Sequence, residues 1–262
     1  MKEFEVIETT EDNVLNLGLC GYKNIKREGF PEKIDWLDQQ KKQGLTIKSL
    51  YLEEAGTQGM IEYIPGQYCW RPVQAKDYMF IHCLFVGFRK QYKKKGYGSL
   101  MIEECLNDSK KQNFKGVAVV TRKGSFMSDK EIFLKNNFKV VDSAPPDFEL
   151  LVHKFIKGSP DPKFNNNWSE KQKQYGNGLV IIRADQCPYS VKNVNEILEV
   201  ARKEYGIKPK LVNLKDHQEA QNSPCPFGTF CILYKGKAVA HHPISKRRFM
   251  NIMSKEVGKD KG

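Results

Sequence analysis

Ile81-His82-Cys83-Leu84-Phe85-Val86, a basic loop, Lys93-Lys94-Lys95-Gly96-Tyr97-Gly98-Ser99 and then Leu100-Met101-Ile102-Glu103-Glu104-Cys105-Leu106 decide how the rest of the chain is read. The apolar, β-branched and aromatic run from Tyr78 to Val86 predicts a buried strand. The stripe behind the two glycines has helical spacing. A basic, glycine-bearing turn therefore stands where a strand hands over to a helix N-terminus. Free amide N–H groups and the helix dipole favour an anion there. Gly96 and Gly98 let backbone approach a phosphate without a Cβ in the way. Lys93, Lys94 and Lys95 add positive charge.

The bulk numbers bound the setting. With 262 residues, 40% hydrophobic and 11% aromatic, the chain is long enough for one large or two modest domains with real cores. No apolar run approaches a membrane span, and Met1-Lys2-Glu3-Phe4-Glu5 lacks the apolar region of a signal peptide, so the expectation is a cytoplasmic protein with no membrane partner. The net charge of +12 raises the question of nucleic acid. The lysines are dispersed among acids, with denser spots only at 93–95 and 246–248, and that scatter argues against a nucleic-acid partner. Seven cysteines include no Cys-x-x-Cys or Cys/His ligand set, so no metal is expected.

In chain order, Glu3 to Glu8 alternates as a first strand, and Pro31 to Gln43 reads as a helix opened by its proline. Leu45 to Glu53 and Gly59 to Tyr63 form a hairpin, and Gly116 to Thr121 is an interior strand. A helix capped by Ser128 runs to Asn137, and closing strands flank Ala144-Pro145-Pro146. Between Lys157 and Gly178 the composition turns polar and turn-forming, which reads as a linker with Trp168 docked on a domain face. The remainder reads as strand, helix, strand, proline loop, hairpin and closing helix. His241-His242 falls at an exposed strand end, and the last residues form a frayed tail.

The order strand, Lys93-Lys94-Lys95-Gly96-Tyr97-Gly98, helix, strand resembles the acetyl-CoA signature of GNAT N-acetyltransferases, with Lys93 where the family usually has Arg or Gln. Glu131-Ile132-Phe133-Leu134-Lys135-Asn136-Asn137-Phe138 is similar to the family's second landmark, a helix with a Gly-Phe ending. Beyond residue 178 the element order is similar to the thioredoxin fold, with Cys187-Pro188-Tyr189-Ser190 at the start of its first helix. The whole layout resembles GNAT proteins bearing a YoaP-type C-terminal domain.

The resemblance implies an α/β protein with a mixed sheet: an acetyltransferase domain over 1–157, a linker over 158–177, a smaller thioredoxin-like domain over 178–254, and a flexible tail over 255–262. It implies transfer of an acetyl group from acetyl-CoA, as co-substrate, to a primary amine of an unidentified small molecule or peptide, by direct attack in a ternary complex. Phe85, Val86, Lys93, Lys94, Lys95, Gly96, Tyr97, Gly98 and Ser99 would hold the cofactor. The strand bearing Phe85 and Val86 would part from its parallel neighbour. A backbone N–H near Val86 would polarise the thioester carbonyl, worth about 3 kcal/mol per good donor.

Proton transfer is less well provided for. Phe133 stands where many family members have an acidic tyrosine. His82, on the central strand, is either a base or a structural histidine. Glu62 is either a carboxylate acting through water or a strand charge. Cys187, at a helix N-terminus, is expected to have a lowered thiol pKa. Ser190 replaces the second cysteine of the redox motif, so Cys187 and Cys225, which resemblance places in the facing loop, are a thiol pair, a monothiol site or two inert residues. A thiol-redox or acyl-CoA-binding protein is the alternative reading.

Overall fold

The computed structural model describes residues 4–22, 24–87, 90–92 and 94–258. Its elements run β1 (Glu5–Glu8), α1 (Val14–Leu17), α2 (Phe30–Lys41), β2 (Thr46–Leu52), β3 (Gly56–Pro65), β4 (Val73–Gln74), β5 (Met79–Val86), α3 (Tyr97–Lys111), β6 (Gly116–Thr121), α4 (Lys130–Lys135), β7 (Lys139–Ala144) and β8 (Phe148–Lys154). They continue β9 (Lys163–Phe164), α5 (Trp168–Lys173), β10 (Leu179–Arg183), α6 (Pro188–Tyr205), β11 (Lys210–Asn213), α7 (His217–Gln221), β12 (Phe230–Tyr234), β13 (Lys237–Ala240) and α8 (Lys246–Gly258).

Seven strands form one sheet in the order β1-β2-β3-β5-β6-β8-β7. Its neighbours are antiparallel except β5 and β6, which run parallel with α3 as their crossover. This mixed α/β sheet, with β5 and β6 as its parallel pair, is the sheet type the sequence resemblance implied. Alternation along β6 explains its two covers. Val117 and Val119 meet Met101, Ile102 and Cys105 of α3, while Ala118 and Val120 face the opposite layer with Trp36 and Leu37 of α2.

That opposite layer does not stop at α2. One buried cluster runs from it into Val180, Ile182, Val194, Ile197 and Phe249 of the C-terminal unit. This unit is a second sheet in the order β11-β10-β12-β13, with β10 parallel to β11 and antiparallel to β12. The stretch between the units is ordered by contacts: β9 pairs with β4, and Trp168 and Phe164 are buried.

Two local expectations are corrected. The cap of α4 is Asp129, whose carboxylate accepts from the Glu131 amide, while Ser128 reaches across to β5. Of the expected tail over 255–262, residues 255–258 are helical, because Val257 continues the packing face of α8, and the rest lies outside the described residues. No helix among the described residues is long and apolar enough to cross a membrane.

Candidate active site

The site begins where β5 and β6 part. They pair at Met79–Val117, Phe80–Ala118 and Ile81–Val119, and no further. From there β5 stays with β3 as far as Val86 opposite Gly59. The departure coincides with a bulge: Glu62 faces Cys83 and Tyr63 faces Ile81, which leaves His82 as the extra residue of β5. Beyond the fork lies a cavity of about 460 Å³, lined by Ile81 to Phe85 on one side and by Val119, Val120 and Phe133 on the other.

Ser128 Oγ donates to the Leu84 carbonyl at 2.7 Å from the far side of this opening. A strand residue points its N–H and C=O the same way in an antiparallel ladder, so Leu84 turns both groups toward the gap. By alternation Val86 does the same. Phe133, where an acid was sought, is fully buried and presents only a ring.

At the top of the gap stands the mouth of α3. Gly96, its cap residue, has φ +81°, and a Cβ built there meets nothing within 4 Å. No side chain among the described residues caps this end, so the first amides are left without an intrahelical partner. Lys94 and Lys95 are exposed beside it. Gly98 packs under Ile132, and Val86 comes close to the same point, so strand end and helix mouth meet. Tyr97 contributes backbone only, since its ring is buried against Phe4. Ser99 Oγ accepts from Asn136 Nδ2 at 3.0 Å, which ties α3 to α4. Lys93 lies outside the described residues. The open glycine mouth, the cations and the adjoining slot fit a diphosphate with a long thioester arm.

Glu62 and His82 are brought together, but in a closed network. The Glu62 carboxylate accepts from Lys33 Nζ on Oε2, and from His82 Nδ1 at 3.2 Å and Gln186 Nε2 at 2.8 Å on Oε1. His82 Nε2 accepts from the Trp70 amide at 2.9 Å. The neutral ring therefore carries its proton on Nδ1 and has no lone pair to spare. Burial pushes the imidazole down to about 4, against the pull of Glu62. Burial opposes ionisation of Glu62 as well, yet the Lys33 ammonium and the His82 hydrogen bond hold it at about 2. A general base at His82 does not fit this geometry.

Sequence reading missed three members of the network. Lys33 is fully buried on the packing face of α2, with Phe30, Leu37 and Gln40. A lysine at that helical spacing is the signal that pointed inward. Arg71 is buried and donates to Gln186 Oε1 at 3.0 Å and to the His82 carbonyl at 3.3 Å. Gln186 belongs to the C-terminal unit and bridges Arg71 to Glu62. Nothing local marks either residue.

The C-terminal unit also walls the cavity, through Cys187 and Tyr189. Tyr189 donates to the Cys20 carbonyl at 2.9 Å and meets Tyr22 edge-on. The expected low pKa of Cys187 is corrected. Burial pushes the thiol up and outweighs the amide hydrogen bonds at the α6 mouth. Cys225 is buried with Cys231 and lies 3.2 Å from His241 Nδ1. Burial raises its thiol, but hydrogen bonds from Cys231 and His241 win and hold it below the usual range. His241 and His242 are part-buried, against Phe148 and Phe126 respectively, and not an exposed strand end. No cluster among the described residues has the geometry to hold a metal ion.

Known proteins resemble this chain to different extents. Residues 210–251 match the YoaP-like family. The N-acetyltransferase YoaP of Bacillus subtilis, itself described as uncharacterized, is 29% identical over 252 residues, which cover 95% of this chain and 98% of the relative. Among solved structures, the GNAT acetyltransferase YhbS from Escherichia coli in complex with CoA has a TM-score of 0.41 at 10% identity. That match covers 62% of this chain and 90% of YhbS. A Bacillus subtilis acetyltransferase in complex with CoA has a TM-score of 0.38 at 15% identity, covering 59% of this chain and 99% of that one. This chain is thus similar along nearly its whole length to the N-acetyltransferase YoaP of Bacillus subtilis, and its residues 210–251 match the YoaP-like family.

Proposed function

We propose that this protein is an N-acetyltransferase that binds acetyl-CoA across the parted strands and passes the acetyl group directly to an amine. The observation that carries the reading is the fork after Ile81 and Val119, which opens an apolar slot beside β5, whose end at Val86 approaches Gly98 in the glycine-bounded first turn of α3. The diphosphate rests on the amides from Lys95 to Ser99, with Lys94 and Lys95 beside it. The pantetheine arm lies between β5 and β6, past Phe85. An amide on the gap side of β5, at Leu84 or Val86, polarises the thioester carbonyl, and this donor is worth about 3 kcal/mol of transition-state stabilisation.

Glu62 and His82 position this apparatus and do not exchange protons with the substrate. The bulge at His82 sets where β5 leaves β6, and the Glu62–Lys33–Gln186 contacts hold that bulge against α2 and the C-terminal unit. The C-terminal unit, which we read as thioredoxin-like from its β-α-β, hairpin, helix order, acts as a wall of the acceptor cavity.

The test is release of free CoA thiol from acetyl-CoA in the presence of a panel of amines. Amine-dependent thiol release, with a mass gain of one acetyl group on the amine, is the expected result. Binding of acetyl-CoA without transfer to any amine would leave an acyl-CoA binder and overturn the enzymatic reading.

A further inference from the structure

The walls of the cavity say which amine they suit. Toward the acceptor side they are aromatic and apolar, with Phe126, Met127 and Tyr189 facing Phe85 and Phe133. Among the described residues no carboxylate lines the cavity. Glu62, just behind His82, has both oxygens taken by Lys33, His82 and Gln186. An ammonium entering here would lose its water and find no counter-ion, which is costly in an apolar site.

The polar atoms that do reach the cavity are engaged as donors or are neutral. Both His82 nitrogens are bonded, Ser128 donates to the Leu84 carbonyl, and Tyr189 donates to the Cys20 carbonyl. Burial pushes the Cys20, Cys83 and Cys187 thiols up, which keeps them protonated near neutral pH. None of these groups takes a proton from an incoming ammonium.

Phe126 marks where the acceptor sits. It is 41% exposed with φ +66°, an uncommon backbone state for a bulky residue. Its ring is held over the opening by Tyr189, edge-on at 6.1 Å, and by His242, stacked at 5.9 Å. An aromatic lid pinned between two rings from the C-terminal unit suits a flat, apolar body.

We propose that the acceptor is a weakly basic aromatic amine that enters the cavity as the uncharged base, its ring packed against Phe126 and Tyr189. This rests on the acetyltransferase reading above and names its substrate class. The amine nitrogen attacks the thioester carbonyl carbon, the C–N bond forms and the C–S bond breaks. The proton shed by nitrogen goes to the departing CoA sulfur, so amine and acetyl-CoA give amide and CoA thiol with no further reactant. An alkylamine of lysine-like pKa is only about one part in a thousand uncharged at neutral pH, and none of the described residues lining the site deprotonates the rest.

The test compares para-ethylaniline with its isomer phenethylamine at neutral pH, with acetyl-CoA binding measured separately by calorimetry. The expected result is a kcat/KM roughly tenfold or more higher for the aniline. Equal or faster turnover of phenethylamine overturns the proposal, as does turnover of neither isomer while acetyl-CoA binds. Failure to bind acetyl-CoA overturns the acetyltransferase reading itself. Phe126→Ala, a change in an exposed loop, is expected to raise KM for para-ethylaniline severalfold and leave the acetyl-CoA Kd unchanged. An unmoved KM overturns the placement of the ring.

Discussion

The chain holds two helix mouths that read alike and behave differently. At α3, Gly96 leaves open space, lysines stand nearby, and the unpaired amides are offered outward. At α6, Cys187 is the cap and Pro188 the first residue, but the end is closed by the other unit. Gly29 approaches so near that a Cβ there would lie 2.0 Å from the Pro188 carbonyl oxygen. Gln186, one residue before the cap, is drawn into the Glu62–Arg71 network. A helix dipole favours an anion by about 0.3–1 kcal/mol in the open. Desolvation of a thiolate costs more than that, so the same local feature is proposed to serve an anion at α3 and carries a neutral thiol at α6. Surroundings, not the helix end, decide which chemistry results.

The sharpest way to break the comparison is to remove what closes α6. Glu62→Ala leaves the fully buried Lys33 ammonium without its carboxylate and is expected to cost about 3–5 kcal/mol in urea unfolding at neutral pH. Adding Lys33→Met is expected to recover most of that loss. A cost below about 1 kcal/mol for Glu62→Ala would mean that the network does not hold the two units together.

Acid sharpens the same point. His82 has a folded pKa of about 4 against an ordinary value of 6.5, so the unfolded chain binds the extra proton between them. Its contribution, on the order of 3 kcal/mol, is complete above pH 6.5 and is lost as the pH falls to about 4. Glu62, lowered from 4.5 to about 2, adds a second loss over that lower window. Stability measured across this range should fall steadily from pH 6.5, and His82→Gln should flatten the upper part. A flat profile between pH 6.5 and 4 in the parent protein would contradict a buried neutral imidazole.

At α6 itself, Cys187 is expected to alkylate slowly at neutral pH, with a rate that keeps rising beyond pH 9, the ordinary value for this thiol. A plateau below pH 8, read by mass spectrometry of iodoacetamide-treated protein, would restore the activated thiolate. The smallest effect belongs to α3. Lys94→Ala and Lys95→Ala should each weaken CoA binding by about 0.3–1 kcal/mol at low salt, with the difference fading as salt screens it.

How much of this was legible follows the same division. The α3 mouth is a local pattern, an apolar strand, two glycines and an apolar helical stripe within thirty residues, and the structure keeps it. The parallel pair and its fork were expected only through the family resemblance, not from any local pattern. The C-terminal strand, helix, strand, hairpin and helix were marked by their periodicity. The state of Cys187 was not, because burial sets it, in part against Gly29, which lies over a hundred positions earlier, and outweighs the pull of Lys33. His82 and Glu62 stood out as titratable residues, but their bonding partners Trp70 and Gln186 carry no signal of their own. Ser128 looked like a cap because serine suits that place. Asp129 took it once Ser128 was claimed by the Leu84 carbonyl.

The central claim is that open amides at the α3 mouth grip the diphosphate of acetyl-CoA. Calorimetry of the parent chain beside Gly96→Asp tests it most directly. The positive φ at Gly96 is one that aspartate tolerates at a cost of about 1 kcal/mol, and its Cβ meets nothing, so the variant keeps its fold. A saturable heat with acetyl-CoA in the parent, abolished when a carboxylate occupies the mouth, is the predicted outcome. No heat in the parent, or equal heat in both proteins, would contradict it.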